Sequence, residues 1–131
     1  MNEGQEFEQT FKITNAIFDG FTELFQDRNP MHMDRDFANR HGFTDRVVYG
    51  NVLNGFLSYF IGECLPVKNV VILAQTIKFN KPVYSGDTLA FKAIVDNYSE
   101  AFRVIDFKFE FVNQHNQKVS KGTIQIKQIN A

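Results

Sequence analysis

NVLNGFLSYFIGECL, residues 51–65, is the stretch whose reading decides the fold. Val52, Leu53, Phe56, Leu57, Phe60, Ile61, Cys64 and Leu65 recur at helical spacing and form a wide apolar face. That face runs over about four turns, ~20 Å of α-helix. Its width predicts a mostly buried helix, wrapped by other structure rather than laid on a surface. Gly55, Ser58 and Gly62 are small enough to let another element approach closely, and Pro66 ends the helix.

Outward from this helix, the chain after Pro66 reads as strand. Val71, Leu73, Ile77 and Phe79 alternate in one segment, which ends at Lys81-Pro82. After a Ser85-Gly86-Asp87 turn, Leu89, Phe91, Ala93 and Val95 alternate in the next. Ile105, Phe107, Phe109 and Phe111 keep a near-strict period of two against Asp106, Lys108 and Glu110. A polar turn over residues 113–117 leads to a last strand with Ile124 and Ile126. Before the helix, Phe7, Phe11 and Ile13 mark a first strand over residues 5–13. Thr14 is then an N-cap for a helix to about Gln26, whose core face carries Ile17, Phe18, Phe21, Leu24 and Phe25. Asp34 caps a short helix through Arg40, and His41-Gly42 stops it. One buried helix followed by an antiparallel meander gives an α+β layer fold, and no linker or repeat divides residues 1–131 into more than a single domain.

Composition narrows the partners. The chain has 131 residues, 44% hydrophobic and 22% charged, with a formal net charge of −1 and no basic stripe, so nucleic acid is not an expected partner. No apolar run is long enough to span a bilayer, and Met1 to Thr10 is polar and acidic, unlike a secretory leader. Cys64 is the single cysteine and falls in the apolar stripe, which fits a structural thiol in a reducing cytoplasm.

The chemistry concentrates in Gln26-Asp27-Arg28-Asn29-Pro30-Met31-His32. Asn29 tolerates unusual backbone angles and Pro30 fixes φ, so the run must turn there. The turn can bring a carboxylate and an imidazole side by side on a rigid loop rather than on successive helical turns. Asp27 and His32 are therefore a candidate acid/base pair. His32, Asp34, Asp36 and His41 match no standard metal-ligand spacing, so no metal is expected. Lys68, Lys78 and Lys81 read as solvated residues at strand ends, and the fifteen phenylalanines read as core first.

This run, from Phe25 to His32, resembles the signature of the MaoC-like (R)-specific enoyl-CoA hydratases, Gly-Asp-x-Asn-Pro-x-His. Met33-Asp34, Phe37-Ala38, Val47-Val48-Tyr49-Gly50, Leu65-Pro66 and Phe79-x-x-Pro-Val-x-x-Gly-Asp87 follow in the family's order. The resemblance implies a hot-dog fold, an antiparallel sheet wrapped around one long central helix. It also implies a homodimer, possibly a higher oligomer, with acyl tunnels close to the subunit interface. The substrate would be an acyl thioester carried by CoA or acyl carrier protein, with no further cofactor. Three positions depart from the pattern. Gln26 stands where glycine is usual, Tyr49 replaces a histidine, and Asn51 replaces a Met or other hydrophobic residue. As the resemblance places them, Tyr49 and Asn51 lie at the mouth of the substrate site.

Adding water across an α,β-unsaturated thioester needs a base, an acid and donors for the charge on the thioester oxygen. Asp27 and His32 can share the first two roles. The backbone N–H of Gly50, at the head of the central helix, is the candidate oxyanion donor, because unpaired amides and the positive dipole end point there. Ser58 matches, by the resemblance, a serine that lines the site and orients the pair; read from the residue alone it is a small contact residue. Two alternatives stand beside hydration. A hot-dog thioesterase would want a carboxylate on the central helix, where only Glu63 stands, at the far end. A non-catalytic acyl-thioester-binding module is the other, kept open by Tyr49 and Asn51.

Overall fold

The computed structural model describes residues 1–130. Five strands form one antiparallel sheet: β1 (Glu6–Lys12), β2 (Val70–Phe79), β3 (Thr88–Ser99), β4 (Val104–Val112) and β5 (Lys118–Gln128). Their spatial order is β1-β3-β4-β5-β2. The helices are α1 (Asn15–Phe25), α2 (Pro30–Met33), α3 (Arg35–Arg40) and α4 (Asn51–Tyr59), the last continuing as a π-helical turn over Phe60–Cys64.

The period-two segments became β3 and β4 because one face of each is buried. Leu89, Phe91, Ala93 and Val95 point inward from β3, and Ile105, Phe107, Phe109 and Phe111 from β4. Val52, Leu53, Leu57, Phe60 and Ile61 of α4 and its π turn meet them. Phe60 lies at the centre, 4.9 Å from Phe91 and 5.6 Å from Phe107 between ring centroids, and Phe11 of β1 stacks on Phe56 at 4.4 Å. Aromatic pairs at these offsets add about 0.5–1.5 kcal/mol each beyond the area they bury. This is the sheet-around-helix arrangement expected.

Four expectations need correction. First, β2 does not continue into β3 as a meander; only β3, β4 and β5 do. β2 crosses to the opposite edge and pairs with β5, from Val70 opposite Gln128 to Phe79 opposite Ser120. Several of its apolar residues are consequently outside the core: Val71, Leu73 and Phe79 are 41%, 49% and 50% exposed, while Val70 and Ile77 pack partly against it. Second, the helix from residue 51 is not wrapped on all sides. Its Asn51, Gly55, Ser58, Tyr59 and Gly62 face solvent, because a single sheet covers only one side of it. Third, it is not α-helical throughout, since the last turn widens to π geometry before Leu65 turns extended. Fourth, the Asn-Pro turn is not a loop all the way to His32. Asn29 caps α2 with its side chain, which accepts from the Met31 N–H at 3.1 Å, and Pro30 occupies the first helical turn. Proline suits that position because its missing N–H would have had no helical partner.

Candidate active site

Asp27, His32 and Gly50 line one cleft of about 530 Å³ between α1, α2, the head of α4 and the segment after β2. Each is held there by a separate local device. Thr14 caps α1, accepting from the Ile17 N–H, and the helix ends at Gln26, whose N–H donates to the Thr22 carbonyl. Gln26 sits in the left-handed region at φ 60°, where glycine is favoured. That geometry accounts for the glycine of the family pattern, and it reverses the chain immediately before Asp27. The Asp27 carboxylate then accepts from the Asn29 N–H at 3.1 Å, tightening the turn.

The His32 side chain is fixed through one nitrogen. Its Nδ1 lies 2.6 Å from the Val47 carbonyl, which can only accept, so Nδ1 carries the hydrogen. In the neutral ring, Nε2 therefore keeps the free lone pair. The main chain is pinned as well: the His32 N–H donates to the Asn29 carbonyl at 2.9 Å and the Val47 N–H to the Met31 carbonyl at 3.0 Å. Asp27 and His32 share a cleft but, among the described residues, no direct hydrogen bond or ion pair joins their side chains.

Gly50 precedes the first turn of α4 with φ −56° and ψ −36°, angles open to any residue. Its need for glycine is spatial: a Cβ would stand 2.8 Å from the tip of the Phe79 ring. Among the described residues its N–H meets no acceptor, and Gly50 lines the cleft.

The Phe79-to-Asp87 motif builds the facing wall. Phe79 covers Gly50, and the Val83 carbonyl receives the Val48 N–H at 2.8 Å. Gly86 takes φ 93°, and Asp87 is buried. Its carboxylate accepts from the Tyr84 N–H at 2.9 Å and the Gln114 side chain at 2.8 Å. The motif's acid is a turn-holder here. At the outer edge Arg35 pairs with Asp45 at 2.9 Å and pins the segment after α3. The Arg46 N–H, with Arg35 beside it, holds the Asp45 carboxyl below its ordinary value, against a smaller opposing push from burial. Burial raises the Cys64 thiol, which is partly enclosed at the far end of α4.

The remaining expected residues divide. Tyr49 is not at the mouth but 3% exposed at the back, between the rings of Phe21 and His32. Asn51 is on the rim, exposed, its side chain accepting from Asn54 at 2.7 Å. Asn29 lies outside the cleft lining and acts as cap and turn residue. Ser58 lies two turns along α4 on its solvent face and does not reach the cleft. Thr22 was missed from sequence, although it stands four residues after Phe18 and so shares its side of α1; Phe21 was read there as core, and Phe79 and Val47 only as parts of the family pattern, with no site role. A second, apolar groove of about 820 Å³ between α1 and α4, with Ile17, Leu24, Phe25 and Phe56 in its walls, meets the cleft at Asp27 and Asn51. Among the described residues no cluster of three or more metal-ligating side chains forms, and no helix is long and apolar enough to cross a membrane.

Comparison with known proteins supplies the relatives. The chain is 29% identical over 108 residues to an (R)-specific enoyl-CoA hydratase of Rhodospirillum rubrum, covering 82% of this chain and 75% of that one. It is 36% identical over 84 residues to a 3-hydroxybutyryl-CoA dehydratase of Methylorubrum extorquens, covering 64% of this chain and 54% of that one, so it spans about half the length of that relative. Among solved structures, the (R)-hydratase of Aeromonas caviae, described as involved in PHA biosynthesis, superposes with a TM-score of 0.89 at 26% identity over 98% of both chains. The unliganded R-hydratase of Pseudomonas aeruginosa does so with a TM-score of 0.89 at 27% identity, covering 100% of this chain and 84% of that one. These neighbours establish the α+β hot-dog fold. The MaoC like domain matches residues 1–117, and the chain belongs to the MaoC-like hydratase family.

Proposed function

We propose that this protein is a lyase that hydrates 2-enoyl thioesters with (R) specificity, or dehydrates the corresponding 3-hydroxyacyl thioesters. The observation that carries this reading is the convergence of Asp27, His32 and the free Gly50 N–H on one cleft. In the hydration direction a water oxygen bonds to C3 of the enoyl group while its proton passes to one member of the pair. The other member delivers a proton to C2, and both transfers occur from the same side of the double bond. The negative charge that develops on the thioester oxygen is met by the Gly50 N–H, aided by the positive end of α4. Elimination runs the same steps backwards. His32 exchanges its proton through Nε2, because Nδ1 is occupied by Val47.

The apolar groove between α1 and α4 fits the acyl chain, and the thioester is carried by CoA or acyl carrier protein with no further cofactor. The exposed edge of β2 and the open face of α4 fit a homodimer. A long apolar edge strand is a template for pairing with a second copy. The lone, partly buried Cys64 thiol fits a reducing cytoplasm. The relatives named as hydratases and dehydratases favour this chemistry over thioester hydrolysis, for which Glu63 is the only carboxylate of the central helix and stands at the wrong end.

A spectrophotometric assay with crotonyl-CoA and longer 2-enoyl-CoA thioesters tests the proposal. The wild-type chain is expected to consume the enoyl absorbance and yield the (R)-3-hydroxyacyl product. Inactivity across the whole series, on CoA and acyl-carrier-protein substrates alike, would remove the hydratase reading and leave the acyl-binding one.

A further inference from the structure

Tyr49 departs from the histidine of the family pattern, and its contacts reach both members of the candidate pair. The ring is sandwiched, with Phe21 stacked on it at 4.4 Å and the His32 imidazole stacked at 4.0 Å, while Phe18 meets it edge-on at 5.6 Å. Its hydroxyl donates to the main-chain carbonyl of Asp27. Because that proton is committed, the Thr22 hydroxyl is the donor of the 2.7 Å contact with the Tyr49 oxygen, the nearer of its two acceptors, the other being the Phe18 carbonyl at 3.3 Å. A chain Thr22 → Tyr49 → Asp27 therefore runs from α1 into the turn, and the same ring forms a flat support for His32. A histidine at this position has no group standing out from its ring as the phenolic hydroxyl does, so it could not stack on His32 and reach the Asp27 carbonyl in one pose.

We propose that Tyr49 is a positioning residue for the pair, with its ring setting the plane of His32 and its hydroxyl, held by Thr22, setting the Asp27 turn. In this chain the two reactive side chains then move as one unit. Val47 fixes the imidazole along its Nδ1 direction and Tyr49 fixes its tilt, so together they leave Nε2 one orientation. Asp27 is held at both ends, by the Asn29 N–H on its carboxylate and by Tyr49 on its carbonyl. Misplacing a reacting group by about 1 Å costs on the order of a hundredfold in rate.

The kinetic part of the test rests on the hydratase reading; the spectroscopic part does not. Tyr49→Phe keeps the stack and deletes the hydroxyl, whereas Tyr49→Leu deletes both and Thr22→Val removes the support. On crotonyl-CoA, Tyr49→Phe is expected to lower kcat about tenfold with KM unchanged, the size of one lost hydrogen bond, and Thr22→Val less. Tyr49→Leu is expected to lower kcat about a hundredfold and to move the pH–rate profile. NMR of the full chain reads the same contacts without turnover. Loss of the ring current in Tyr49→Leu should move the His32 ring protons downfield, and Tyr49→Phe should leave them in place while shifting the Arg28 and Asn29 amides. Wild-type kcat in Tyr49→Phe, or His32 resonances unmoved in Tyr49→Leu, would overturn the assignment. A wild type inactive on every enoyl thioester would instead defeat the hydratase reading, with the NMR result still deciding whether Tyr49 holds the pair. Tyr49→Phe retains all ring packing, so the test survives if Tyr49→Leu fails to fold.

Discussion

Toward the C-terminal end of the central helix, where the π turn begins, Phe60 is fully buried against the rings of Phe7, Phe91 and Phe107 of the sheet. At the N-terminal end, ten residues earlier, Gly50 has no side chain and, among the described residues, an unpartnered N–H, and its neighbours are Phe79 and the cleft that holds Asp27 and His32. One end is satisfied in every direction; the other leaves a donor unmet and a space unfilled. The difference separates what the helix does for stability from what it does for chemistry. A core tolerates no unpaired polar group, whereas a site for a developing charge requires one.

Breaking the buried end should produce the largest change. Phe60→Ala is expected to lower the unfolding free energy by about 3–5 kcal/mol, through lost transfer energy and the cavity left behind. Denaturant melts measure this. The turnover of the molecules that remain folded should not change, and a catalytic defect larger than the folding defect would show that the two ends are coupled.

Altering the open end should do the reverse, and by a smaller amount. Gly50→Ala and Gly50→Pro place a Cβ against the same Phe79 ring and so carry the same steric cost, and φ of −56° suits both residues. Only proline removes the N–H. Gly50→Pro is therefore expected to fall about a hundredfold below Gly50→Ala in kcat/KM, or ~3 kcal/mol, with similar thermal stability of the two variants. Equal rates would remove Gly50 as the oxyanion donor and shift attention to another amide of the first turn.

The same contrast explains what was legible in the sequence. β3 and β4 could be read directly, because a strand with one buried face must alternate, and Phe107, Phe109 and Phe111 do. β2 alternates too, yet its Val71, Leu73 and Phe79 are half exposed, since alternation reports a face and not what covers it. Its place beside β5 rather than β3 is a matter of chain crossing that no local pattern encodes. In the site, Asp27 and His32 were legible because Asn29-Pro30 constrains the turn between them, and Gly50 because it heads a helix. Tyr49 was legible as an oddity but misplaced: its burial depends on Phe21, Thr22 and His32, which converge from two other helices. The resemblance brought Ser58 to the site, yet its register on α4 points it to solvent.

The central claim is that Asp27 and His32 act as one catalytic unit across the cleft. The direct measurement is kcat on a 2-enoyl-CoA substrate for Asp27→Asn, His32→Ala and the double variant, each shown to be folded. Each single change is expected to cost about 10²–10⁴-fold. The double variant should lose no more than the larger single loss, because removing either member already disables the unit. Losses that multiply in the double variant, or wild-type turnover in any of the three, would contradict the account.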